Sequence, residues 1–111
     1  MPALSRRAAL VTLALALSAI ACAAPVLPLP PPTALVEEPD ADGVVTVMGE
    51  ARPGAFVACL NENTEAGVLV RADVDTGAYV ARLPAETGHA IRVWQFEASD
   101  AGGEPVFRTV P

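Results

Sequence analysis

The stretch 43-GVVTVMGEARPGAFVACL-60 holds two short apolar runs around one tight turn. Val45 and Val47 alternate with Thr46 and Met48, then Pro53-Gly54 intervenes, then Ala55, Val57 and Cys59 share the next face. A period of two over four to eight residues describes a half-buried strand, and a Pro-Gly pair between two such runs describes a reversal of direction. No run beyond the N-terminal region has the length or the 3.6-residue period of a helix.

The same pattern extends in both directions. Seven β-rich runs follow one another: Ala34–Glu37, Val44–Met48, Ala55–Asn61, Gly67–Asp73, Ala78–Leu83, Ala90–Ala98 and Pro105–Val110. Between them lie Asp42-Gly43, Pro53-Gly54, Asn61–Gly67, Asp75-Thr76-Gly77, Pro84–Gly88 and Asp100–Gly103, whose Gly, Asp and Asn residues suit turns. Short strands at this spacing predict an all-β fold, a small seven-stranded sandwich. Val68, Val70 and Ala72 share a face, and Tyr79, Ala81 and Leu83 oppose Val80 and Arg82. In the sixth run Trp94, Phe96 and Ala98 oppose Gln95 and Glu97, but Ile91 and Val93 break that phase. A bulge, or partial burial of both faces, is therefore expected there.

Together with 73-DVDTGAYVARLP-84, the opening stretch resembles bacterial Ig-like domains and the related carboxypeptidase regulatory-like domains. The shared pattern is a V-x-V-x-G strand, a Pro-Gly turn and an apolar strand. An acidic turn with G-x-aromatic follows, then a strand ending in Leu-Pro. The resemblance runs from Val44 to about Gly103 and rests on Gly49, Pro53, Gly54, Gly77 and Tyr79. The Asp73–Gly77 turn departs by one residue from the commonest Ig-like spacing. The resemblance implies an Ig-like sandwich without catalysis, used for spacing, adhesion or ligand contact.

Towards the N-terminus the composition changes. Arg6 and Arg7 precede Ala8–Ala24, seventeen residues that are nearly all Ala, Leu and Val. A positive start followed by an apolar run describes a secretory signal peptide; a spanning helix needs about 20 residues and a charged stop. Ala19-Ile20-Ala21-Cys22 resembles the lipobox of bacterial lipoproteins, with Ala19 where leucine is usual. The resemblance implies a diacylglycerol on Cys22. Ala19-x-Ala21 also suits ordinary signal peptidase, which would cut the same bond and leave Cys22 bare. Ser5-Arg6-Arg7 with Leu10 is similar to a twin-arginine export motif. A disulfide between Cys22 and Cys59 is the remaining use of these two cysteines.

Pro25, Pro28 and Pro30–Pro32 follow Cys22 closely and predict an extended polyproline II spacer. The expected organisation is a lipoprotein-type signal peptide over 1–21, a Pro-rich tether over 22–33 and an Ig-like β-sandwich domain over 34–111. After cleavage, five arginines face thirteen acids without a lysine, a net charge of −8 with His89 neutral. Such a surface repels phosphate backbones, so no nucleic-acid partner is expected.

Chemistry is sparse. Ser99 and His89 lie at opposite ends of one predicted strand, about 33 Å apart at 3.3 Å per residue. Cys59 alternates with apolar neighbours, and a buried thiol is usually inert. Asp40-x-Asp42-Gly43 and Asp73-x-Asp75-x-Gly77 set carboxylates beside glycine turns, as calcium loops do, without the distal glutamate of an EF-hand. No catalytic residue, metal ligand or cofactor is assigned.

The expectation is a non-catalytic, lipid-anchored cell-envelope protein, attached to the membrane through Cys22 and presenting one module to an envelope protein or glycan. Ala23 after the cysteine resembles outer-membrane sorting. Met48, Phe56 and Leu60, opposite the core positions, form the candidate binding surface. The alternatives are a freely secreted β-domain, or a metal- or thiol-dependent binder or enzyme using Cys59, His89 and Asp75.

Overall fold

A computed structural model describes residues 28–98 and 102–111. The expected signal peptide, Cys22, the first part of the expected tether and Ser99 lie outside the described residues. Seven strands form: β1 Leu35–Val36, β2 Val44–Glu50, β3 Phe56–Asn61, β4 Gly67–Arg71, β5 Ala78–Pro84, β6 Ala90–Phe96 and β7 Val106–Thr109. They make two antiparallel sheets, ordered β1-β2-β5 and β4-β3-β6-β7. No helix occurs among the described residues. The seven-stranded all-β sandwich expected from the alternation is the observed fold, each strand lying within about two residues of its predicted run.

The core lies between the sheets. Val45 and Val47 from β2, Val57 and Cys59 from β3, Tyr79, Ala81 and Leu83 from β5, and Ile91 and Val93 from β6 fill it. These side chains are small, apart from Tyr79. Each fully buried Val, Leu or Ile contributes about 1.5–3 kcal/mol, so the interior depends on many modest contacts. At one edge Arg108 on β7 donates from Nε to the Ala34 carbonyl next to β1, joining the two sheets.

β6 follows one of the two expected alternatives, partial burial of both faces, and departs from the other. It carries no bulge: its pairing with β3 runs without interruption from Phe56 opposite Phe96 to Asn61 opposite Ile91. Ile91, Val93 and Gln95 face the core, whereas Trp94 and Phe96 lie half-buried on the outer face. Both faces are thus partly covered. The inward polar residue is accommodated because its amide is bonded on both sides. Gln95 Oε1 accepts from the Arg52 N–H at 2.7 Å, and Nε2 donates to the Pro30 carbonyl at 2.8 Å.

The second departure concerns the Pro-rich segment. Its last residues are part of the domain. The Leu29 carbonyl accepts from the Glu104 N–H, the Thr33 N–H donates to the Glu50 carbonyl, and Tyr79 OH donates to the Thr33 carbonyl. Pro32 is buried. Residues 29–33 therefore cross the mouth between the sheets, from Gln95 and Glu104 on one to Glu50 and Tyr79 on the other. Residues 29–33 are thus bonded to the sandwich expected from Ala34 onward.

Strand directions define two poles. The near pole, where residues 29–33 enter, holds the β2–β3, β4–β5 and β6–β7 connections. The far pole holds the β1–β2, β3–β4 and β5–β6 connections.

The two acidic turns are built alike. Asp40 Oδ1 accepts from the Asp42 and Val44 N–H groups while Oδ2 meets Arg82 at 2.8 Å. Asp73 Oδ1 accepts from the Asp75 and Thr76 N–H groups. The Val44 and Asp42 amides, with Arg82, hold the Asp40 carboxyl below its usual range, and the Thr76 and Asp75 amides do the same for Asp73. A depressed folded-state pKa adds stability above the unfolded value of about 3.9, and that stability is lost as pH falls through the folded value. Thermal melts should therefore hold steady from about pH 7 to 5 and fall below about pH 4. In the Asp40→Asn/Asp73→Asn double variant that fall should flatten; an unchanged acid limb would remove these two groups from the explanation.

Candidate functional site

The outer face of the four-stranded sheet carries four of the five aromatic residues of the chain. Alternation puts them there. On β3, Val57 and Cys59 point inward, so Phe56, Ala58 and Leu60 point out. On β6 the outward set is Arg92, Trp94 and Phe96; on β4 it is Leu69 and Arg71; on β7 it is Phe107. Register then sets neighbours. Phe56 lies between Arg71 and Phe96, Ala58 between Leu69 and Trp94, and Arg92 between Leu60 and Phe107.

The contacts within this face are specific. The Phe56 and Phe96 rings stack with centroids 5.6 Å apart and an interplanar angle of 25°. The Arg71 guanidinium sits over Phe56 at 5.9 Å and that of Arg92 over Trp94 at 5.0 Å, within the range of a cation–π contact. Arg71 Nε donates to the Gly54 carbonyl, and Arg92 Nε lies 2.7 Å from Glu62 Oε1. Both arginine heads thus lie over aromatic rings. Leu69 and Phe107 remain 57 % and 56 % exposed at the two sides of the sheet. Ala58, small and central, leaves a shallow place between the larger side chains.

The expected surface residues are divided by this arrangement. Phe56 and Leu60 belong to the face just described. Met48 lies on β2, in the other sheet, where its outward neighbours are Leu35 on β1 and Val80 on β5. Trp94, Phe96, Leu69 and Phe107 complete the larger face. Sequence reasoning missed Trp94 and Phe96 because the strand that bears them is apolar on both sides. Leu69 was legible from its alternation with Val68 and Val70.

A second feature occupies the far pole. An open cleft of about 520 Å³ is lined by Asp42, Gly43, Thr64, Pro84, Glu86 and His89, among others. Below it, Asn61 is fully buried. Its Nδ2 donates to the Pro84 carbonyl and to His89 Nδ1, and its Oδ1 accepts from the Asn63 N–H. The Glu86 N–H also points to His89 Nδ1. With two donors directed at Nδ1, neutral His89 carries its proton on Nε2.

Cys59, His89 and Asp75 are not brought together. Cys59 is buried in the core opposite Val93, four residues along β6 from His89, or about 13 Å at 3.3 Å per residue. Asp75 belongs to the near pole and His89 to the far one. Burial pushes the Cys59 thiol up to about 11. About one thiol in a thousand is then ionised at pH 8, and the thiolate is the reactive form. In a Cys22→Ala chain, Cys59 should resist Ellman's reagent in native buffer and react fully in denaturant. Rapid native reaction would mean that the core opens readily. Among the described residues no group of three or more His, Cys, Asp or Glu side chains is arranged to hold a metal ion.

No protein-family model, curated protein or solved structure matches the chain.

Proposed function

We propose that the chain is a non-catalytic, lipid-anchored cell-envelope protein whose single Ig-like module binds an envelope protein through the outer face of the four-stranded sheet. One observation carries the binding part. Three phenylalanines and the only tryptophan lie on one outer sheet face, while the core is built mainly from Val and Ala. Aromatic residues and arginine are the types enriched at protein interfaces and at their energetic centres. Here both are present and held in place before any partner arrives, which lowers the ordering cost of association.

The envelope part draws on Arg6-Arg7, the apolar run to Ala24 and the Ala19–Cys22 resemblance. The Ig-like part draws support from the sheet order. Constant-type immunoglobulin domains pair the fourth strand with the fifth; here β4 pairs with β3 instead, and the remaining order is the same.

Two measurements test the two parts. Metabolic labelling with a clickable palmitate should mark the native chain and leave Cys22→Ala unmarked. A photo-crosslinking residue at Phe107 should trap a discrete protein adduct in intact cells, and one at Val80 on the opposite sheet should not. Equal or absent adducts at both positions remove the sheet face from the reading. An unlabelled chain that starts at Cys22 in the medium leaves a secreted domain.

A further inference from the structure

The clamped end of the Pro-rich segment has a consequence for how the domain is presented. We propose that residues 29–33 hold the domain with its near pole towards the membrane, so that the outer face of the four-stranded sheet is offered sideways to partners rooted in that same membrane. The inference rests on the anchored reading of Cys22.

The argument starts from three independent fastenings. Pro30 is bonded through its carbonyl to the buried amide of Gln95 at 2.8 Å. Leu29 is bonded through its carbonyl to the Glu104 N–H at 2.9 Å. Thr33 is joined to Glu50 by its own N–H and by its hydroxyl, which accepts from the Glu50 N–H at 2.8 Å. One glycine makes room for the segment: a Cβ at Gly49 would overlap the Thr33 carbonyl oxygen. Proline adds to this by having little backbone freedom to lose on docking.

Reach follows from covalent geometry alone. A chain extends at most about 3.6 Å per residue. Seven steps separate Cys22 from Leu29, so the clamp lies within about 25 Å of the anchoring residue. A spacer free as far as Ala34 would have twelve steps and about 43 Å. The clamp therefore removes nearly half of the slack, and what remains enters at one pole. The strands run pole to pole, so near-pole attachment sets the aromatic face side-on to the bilayer and the cleft of Asp42, Glu86 and His89 away from it.

A membrane-rooted protein standing beside the domain meets the aromatic face at the height the clamp sets. A partner across a wide gap does not.

The lipidated full chain in vesicles tests this, with one fluorophore per molecule. Cys59 is buried and Cys22 acylated, so only an introduced cysteine takes the label. Asp75→Cys marks the near pole and Asp42→Cys the far one. Energy transfer to a headgroup dye should be severalfold stronger from position 75 than from position 42. Ten Gly-Ser residues inserted after Ala24 should weaken both signals and bring their ratio towards one. Hydrogen exchange at the Glu104 amide should be slow in the native chain and fast in Gln95→Leu. Equal transfer from the two positions overturns the held orientation, and fast Glu104 exchange in the native chain overturns the clamp on which it rests. Loss of palmitate on the same preparation instead overturns the anchored reading, and Glu104 exchange still reports the clamp by itself.

Discussion

Gly77→Ala is expected to cost about 3 kcal/mol or more and to lower the melting temperature by at least about 12 °C. Two effects add. Gly77 has φ +78°, the left-handed region, where an alanine costs roughly 1–2 kcal/mol. Its Cβ would also overlap the Ala51 carbonyl oxygen, where ordinary contact starts near 3.4 Å. That oxygen is backbone and cannot rotate away. The neighbouring Ala51 N–H donates to the Gly77 carbonyl at 2.8 Å, so the two segments must separate or the turn must deform. Gly43→Ala is the matched control. Its φ is +75°, yet nothing lies within 4 Å of the added carbon, so only the dihedral cost of about 1 kcal/mol remains. A domain of this size has a total stability of about 4–12 kcal/mol, and the gap between the variants should be plain in thermal melts. Equal losses in both would show that the Ala51 contact is not what glycine protects.

The same positions explain how much of the fold could be seen in advance. Gly43, Gly54, Gly77 and Gly88 all adopt positive φ, and each lies in a turn that the sequence marks with Asp, Pro or Thr beside glycine. Between those turns a period of two groups the inner residues of β2, β3, β4 and β5 onto one face each, although β3 and β4, like β6, carry apolar side chains on both faces. Such local signals need no knowledge of which strand pairs with which.

The failures fall where tertiary partners decide. Ala90–Phe96 has apolar side chains on both faces, and alternation is then silent about which face is inner. Polarity points the wrong way at Gln95, because its mates are the Arg52 amide and the Pro30 carbonyl, 43 and 65 residues away. Proline composition likewise carries no information about docking, and the Gln95–Pro30 bond joins residues 65 positions apart. The aromatic outer face was half legible for a related reason: Phe56 and Leu60 declare themselves within one strand, whereas their grouping with Trp94 and Phe107, and the separation from Met48, depends on sheet order.

Replacing Asn61 should produce the other large effect, and its form separates a packing role from a hydrogen-bonding one. Asn61 and leucine are similar in volume, so Asn61→Leu should fill the site. It leaves the Pro84 carbonyl and the Asn63 amide without their partner and His89 Nδ1 with the Glu86 amide alone. An unmatched buried polar group costs about 1–3 kcal/mol, and two of these groups can reach water, so a total near 2–4 kcal/mol is expected. Asn61→Asp is more discriminating. A carboxylate has no donor for the Pro84 carbonyl or for His89 Nδ1. The ring can meet it by carrying a proton on Nδ1, as the Nδ1–H tautomer or as imidazolium, and either sets that proton against the Glu86 N–H. Nitrogen-15 spectra of the imidazole should show the Nε2–H form in the native chain, a mixture in Asn61→Leu and a protonated Nδ1 in Asn61→Asp. The network links the β3–β4 and β5–β6 connections, so loosening it should also speed amide exchange at Ala90, whose N–H donates to Asn63 Oδ1. A native-like imidazole spectrum in Asn61→Asp would mean that His89 is oriented by the β5–β6 turn alone, and that the buried amide serves only to cap the strand beneath it.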